Sequence, residues 1–106
     1  MDHWRLREKN ESQSADGFFY AFVRLNERKS PPEYWVVSSK IVSDLIKKRH
    51  QLWLKAPGKK GQAHNDNPGR TFTVKFDEFF PKEFSLEEIN QGYNSLKPIL
   101  EFEKEK

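Results

Sequence analysis

The chain contains no cysteine. Disulfide scaffolds, thiolate metal centres and cysteine nucleophiles are therefore excluded, and stability has to come from packing. A reducing compartment fits such a composition, and a cytoplasmic location is expected. Long hydrophobic runs are missing as well: Met1-Asp2-His3-Trp4-Arg5 opens with charge, and no stretch approaches the roughly 18 consecutive apolar residues of a membrane span. Neither export nor membrane insertion is expected. Internal repeats and low-complexity tracts are also lacking, which leaves no composition boundary at which to divide the chain.

What is present is aromatic and unevenly charged. A chain of 106 residues is expected to form one domain, spanning 1–106, because a core of this size is not divisible. Charged residues make up 33% of it, yet nine Phe, three Trp and three Tyr supply the bulk that disordered sequences lack. The net charge of +3 is distributed unequally: residues 39–76 carry nine bases and two acids, residues 77–106 four bases and eight acids, and residues 1–38 six of each. A central basic segment attracts phosphate, or it forms a solvated basic helix face.

Phe18 to Leu25 is aromatic and β-branched, follows the turn signal Asp16-Gly17, and is apolar on both alternating faces up to Arg24. It is expected to be a central strand buried on two sides. Pro31-Pro32 forces a loop before a second strand, Tyr34 to Val37, which is expected to pair antiparallel with the first. Ser38 or Ser39 caps a helix over about 40–55, where Ile41, Val42, Leu45, Ile46, Leu52 and Trp53 recur with helical spacing. Ala56-Pro57-Gly58 ends it, with a left-handed glycine cap expected. Arg70 to Phe76 alternates, placing Phe72, Val74 and Phe76 on one strand face. The capping box Ser85-Leu86-Glu87-Glu88 opens a second helix over about 85–97, with Gly92 as its weak point and Pro98 as its stop. Residues 7–16 and 103–106 are expected to be flexible. The predicted class is α+β in β-β-α-β-α order, a small mixed sheet with two helices.

The basic helix end and the glycine loop, from Lys47-Lys48-Arg49-His50 through Gly58-Lys59-Lys60-Gly61, form the most suggestive constellation. Lysines on a helix and in a Gly-flanked turn grip a phosphate backbone, and exposed backbone N–H groups add an anion nest. The spacing is not that of a P-loop, and the loop follows a helix where a P-loop precedes one. The expected contact residues are Lys47, Lys48, Lys55, Lys59, Lys60, His64 and Arg70. His50, His64 and Asp66 have the chemistry of metal ligands, or of a general base with its orienter, but nothing in their spacing demands either role, and turn-forming Asn and Asp residues are the simpler reading. Trp35 and Trp53 are read as core residues and Glu33 as an ordinary surface acid. No catalytic residue, metal or cofactor is expected.

The segments Phe18 to Leu25, Pro32 to Val37, Ser39 to Val42 and above all Pro57-Gly58-Lys59-Lys60-Gly61-Gln62-Ala63-His64-Asn65-Asp66-Asn67, with Arg70 and Phe72, resemble the C-terminal half of small bacterial proteins of the restriction-endonuclease-like, PD-(D/E)xK-type fold. The resemblance spans about residues 4–76; the acidic C-terminal helix region, 77–106, matches nothing in that family. It implies a half domain associated with nucleic acid. In that family an Asp on one strand and a (D/E/Q)-x-K on the next hold a divalent ion. Here Glu27-Arg28-Lys29 is the one Glu-x-Lys, and it lies in a polar loop ahead of two prolines, where three groups cannot be held rigidly. The expectation is thus a non-catalytic, nucleic-acid-associated fragment or degenerate relative of that fold, with DNA or another nucleic acid as partner and either a homodimer or a missing N-terminal half completing the sheet. The alternative is a protein-interaction or dimerising domain without a nucleic-acid role.

Overall fold

The computed structural model describes residues 3–27, 29–58, 61 and 64–105. Its architecture is α+β, with three helices and two small antiparallel sheets among the described residues. In chain order the elements are β1 (His3–Arg7), a 3₁₀ turn (Glu8–Glu11), β2 (Phe19–Arg24), β3 (Glu33–Ser38), α1 (Ser39–Lys55), β4 (Gly69–Thr73), α2 (Leu86–Asn90) and α3 (Lys97–Lys104). The expected β-β-α-β-α order therefore gains a strand at the front and a helix at the end.

The added strand pairs across most of the chain. β1 runs antiparallel to β4, with His3 opposite Thr73 and Arg7 opposite Gly69. Trp4 and Leu6 alternate with His3, Arg5 and Arg7, so a two-residue period turns the apolar pair inward and the basic residues outward. β4 stops at Thr73, short of the expected Phe76, which is 70% exposed.

The second sheet pairs β2 with β3, from Phe19 opposite Ser38 to Arg24 opposite Glu33, as the sequence suggests. The central position, however, belongs to β3. Trp35, Val36 and Val37 are all buried, whereas in β2 only Phe22 is, and Val23 is 48% exposed. The reason lies in the C-terminal region: Val36 N donates to Gly92 O at 3.0 Å, Asn94 N donates to Tyr34 O at 2.7 Å, and Tyr93 bridges Trp35. This short segment occupies the other edge of β3. The same pairing breaks the single helix expected over 85–97. Ser85 does cap α2, its hydroxyl accepting from Glu88 N, but the helix ends at Asn90, with Gln91 as its C-cap, and the chain then lies along β3. Pro98 then falls in the first turn of α3, where its missing N–H costs nothing, so it starts a helix instead of stopping one.

α1 forms where the periodicity places it. Ser38 is the N-cap, accepting from Ile41 N, and Val42, Leu45 and Ile46 are fully buried, each contributing roughly 1.5–3 kcal/mol. Its end is set by Ala56, which takes an extended conformation (ψ 140°) because a residue before proline is driven out of the α region. The glycines with positive φ among the described residues are Gly17 and Gly61, so the expected left-handed cap at Gly58 is not used.

The segment 7–16, expected to be loose, is tied to α1. Ser43 Oγ donates to Asn10 O at 2.8 Å, Ser39 Oγ donates to Ala15 O at 3.1 Å, and Ala15 N donates back to Ser39 Oγ at 3.0 Å. Glu103 and Lys104 likewise belong to α3. The two sheets meet at Phe22 and Phe72, stacked 4.1 Å apart at 9°, with Trp4 against Phe22 and Trp35. α1, Phe80 and Ile89 close this core.

Candidate nucleic-acid interface

A trough of about 250 Å³ lies between the outward edge of the β1–β4 sheet and the C-terminal half of α1. Arg5, Arg49, His50, Trp53, Asn67, Gly69, Arg70 and Thr71 line it. Three elements each deliver one arginine: Arg5 from the exposed row of β1, Arg49 from α1 and Arg70 from β4.

Two of these guanidinium groups are held by carboxylates. Arg49, buried at 9% exposure, donates from Nη1 to Asp77 Oδ1 at 2.7 Å and from Nη2 to Asp77 Oδ2 at 2.8 Å, while His3 Nε2 lies 3.6 Å from the same carboxylate. Asp77 is held below the usual carboxylate range, first by the Arg49 hydrogen bonds and against the opposing effect of burial. Arg70 is paired with Glu11 and also donates from Nη1 to the carbonyls of Asn67 (2.7 Å) and Gly69 (2.9 Å). Arg5 differs: among the described residues no carboxylate pairs with it, nor with Arg7 beside it on the same outward row.

The aromatic wall is equally ordered. The rings of Trp53 and His64 are parallel within 1° at 4.1 Å. His64 Nδ1 lies 2.7 Å from Trp53 O; a carbonyl only accepts, so Nδ1 carries the proton. His50 Nε2 donates to Asp66 Oδ1 at 2.7 Å, and its ring lies 5.5 Å from Trp53. That hydrogen bond, followed by one from Asn67 N–H, lowers the Asp66 carboxyl from its usual range.

The residues expected at a contact surface are thus divided. Arg70 lines the trough and His64 stacks on its wall. Lys47 lies by Glu8, Lys9 and Glu11; Lys48 places its ammonium 5.5 Å from the Phe84 ring centre and, with Lys55, borders a separate depression near Glu78 and Glu83. Lys59 and Lys60 lie outside the described residues, as does Arg28 of the Glu-x-Lys pseudo-motif. Trp53, read as a core residue, is half-buried at the trough. Glu33 is no ordinary surface acid: it is paired with Arg24 and accepts from Tyr93 Oη at 2.7 Å and Asn26 Nδ2 at 3.2 Å, tying β2, β3 and the C-terminal segment together. Tyr93 first and Arg24 second lower its carboxyl, and Glu33 in turn raises the Tyr93 phenol.

Arg5 and Arg49 were not anticipated as site residues. The signal for Arg5 is the alternation of His3-Trp4-Arg5-Leu6-Arg7; Arg49 belongs to the basic run Lys47-Lys48-Arg49-His50, but its burial against Asp77 carries no local signal. Of the sequence-level candidates for a base and its orienter, His50 and Asp66 do meet, but no group of three or more His, Cys, Asp or Glu side chains among the described residues is arranged to hold a metal. No helix among the described residues is long and apolar enough to cross a membrane. No family model, curated protein or solved structure matches this chain.

Proposed function

We propose that this chain is a non-catalytic, nucleic-acid-associated domain, a degenerate or half-domain relative of the restriction-endonuclease-like fold, that makes contact through the arginine trough. The observation that carries this reading is the convergence of Arg5, Arg49 and Arg70 on one depression, with Arg5 unpaired among the described residues. A guanidinium fork without its own carboxylate suits phosphate oxygens. Arg49 and Arg70, fixed by Asp77 and Glu11, supply rigid walls. The family part of the reading is supported by the loop from Pro57 to Asn67, whose described portion, Pro57, Gly58, Gly61 and His64 to Asn67, leads into β4 at the trough.

The test is a mobility-shift titration of the chain with DNA and RNA of mixed sequence at low salt. Binding that weakens with salt, and that weakens about three- to tenfold further in Arg5→Ala, is the expected result. Absence of any binding at low salt overturns the reading.

The open side of β2 favours a second reading, a dimerising domain. β2 pairs with β3 alone among the described residues, and its Ala21 and Val23 are exposed. Trp4 Nε1 covers one acceptor of the strand, Val23 O, at 3.0 Å. The remaining edge suits an antiparallel copy of itself across a two-fold axis.

A further inference from the structure

We infer that the trough is built for single-stranded nucleic acid, seating one unpaired base against the His64–Trp53 stack with an adjoining phosphate on Arg5. The inference rests on the nucleic-acid reading above and names its substrate class.

The electrostatics argue against a duplex. Asp77 offsets Arg49, Glu11 offsets Arg70, and the Asp66 carboxylate, hydrogen-bonded by His50, counts against Arg5 and Arg7, so the net positive charge at the trough among the described residues is small. Duplex binding draws most of its affinity from neutralising many phosphates at once, and among the described residues the lysines expected at the contact, Lys47, Lys48 and Lys55, lie around other depressions. With so little charge, affinity has to come from stacking and hydrogen bonding, which a duplex keeps to itself.

The geometry supplies both. A volume of about 250 Å³ suits one planar group and its linkage, not a helix. The His64 ring is locked parallel to Trp53 by its own hydrogen bond to the Trp53 carbonyl, so the platform is already ordered before a ligand arrives. Histidine and tryptophan are both stacking partners for exposed bases. Thr71 and Asn67 line the same space; Asn67 Oδ1 accepts from Gly69 N at 2.8 Å, and a hydroxyl together with the remaining amide N–H groups suits a base edge.

The experiment uses the full chain with a single strand of about twelve nucleotides and with the same strand annealed to its complement, read by anisotropy and by tryptophan emission. The single strand is expected to bind at least about tenfold tighter than the duplex, with a salt slope near −1, corresponding to one or two phosphates. It should quench an emission component that is lost in Trp53→Phe. His64→Ala should weaken single-strand binding about tenfold, while His64→Phe, which keeps a ring, retains it. Equal or tighter duplex binding, unchanged Trp53 emission, or equal losses in both His64 variants overturns the inference and leaves the nucleic-acid reading standing. Failure of the parent to bind either probe at low salt overturns both.

Discussion

Arg49 and Asp77 form a two-pronged ion pair, at 2.7 and 2.8 Å, that joins the middle of α1 to the chain just after β4. Arg49 is buried, so deleting its partner leaves a guanidinium without a counter-charge in the protein interior. Asp77→Asn is expected to lower stability at neutral pH by about 1–2 kcal/mol, below the usual value for a fully buried pair because the carboxylate still meets solvent. The folded-state pKa of Asp77 is depressed, so its contribution is complete above the ordinary carboxylate pKa and fades as pH falls through the folded value. Urea melts of parent and variant should therefore differ most near neutrality and converge as pH drops below about 4. A constant gap across that range would contradict this.

Gly92 is where β3 leaves no space. A Cβ there would stand 2.8 Å from Val36 C and 2.9 Å from Val36 N, and closer still to Val36 O. Gly92→Ala is expected to cost about 3 kcal/mol by pushing the C-terminal segment off β3, and to expose that segment to proteolysis. A melt and a digestion pattern like the parent's would show that the segment does not need this contact.

Ser39, fully buried, clasps Ala15 through two hydrogen bonds. Ser39→Ala should destabilise the fold by about 0.5–1.5 kcal/mol, since it removes the partner of the Ala15 N–H and one of two donors to the Ala15 carbonyl, which keeps the Phe18 N–H at 3.2 Å. Faster amide exchange at Ala15 is the accompanying signature, and protected exchange there would rule the clasp out as a stabilising feature.

If the open side of β2 recruits a second copy, sedimentation should give a dimer at tens of micromolar, and Ala21→Pro should make it a monomer, because proline cannot donate along a strand edge. A monomeric parent at high micromolar concentration eliminates this arrangement.

The binding reading predicts no cleavage of DNA or RNA by the chain with Mg²⁺ or Mn²⁺, since the one Glu-x-Lys of the sequence, Glu27-Arg28-Lys29, stands in a polar stretch ahead of two prolines. Metal-dependent cleavage that disappears in His50→Ala or Asp66→Ala would replace the binding reading with a hydrolytic one.

Elements governed by local rules were legible in the sequence. α1 announces itself through Ser38 and the spacing of Val42, Leu45 and Ile46, and α2 through Ser85 and Glu88. Choices settled by distant residues were not. β2 and β3 are both aromatic and β-branched, and what makes β3 central is Gly92 and Asn94, about sixty residues away, whose pairing also cuts the expected helix short. At the candidate site, His64 and Arg70 could be named from the basic loop, whereas Lys47, Lys48 and Lys55, chosen with them, follow the turn of a helix and disperse around it. Charge density along a sequence does not say on which side of a helix each charge falls.

The register that sets His3 opposite Thr73 also governs when the molecule can be completed. Emerging from the ribosome, β1 has to wait for about two-thirds of the chain before its partner exists, and closing so long a loop slows folding. Arg5 enters with β1 and Arg70 with β4, so the trough comes into being only at that late closure. A nascent or N-terminally clipped chain would have α1 and the β2–β3 ribbon but no trough, and a ligand for this surface would recognise finished molecules only.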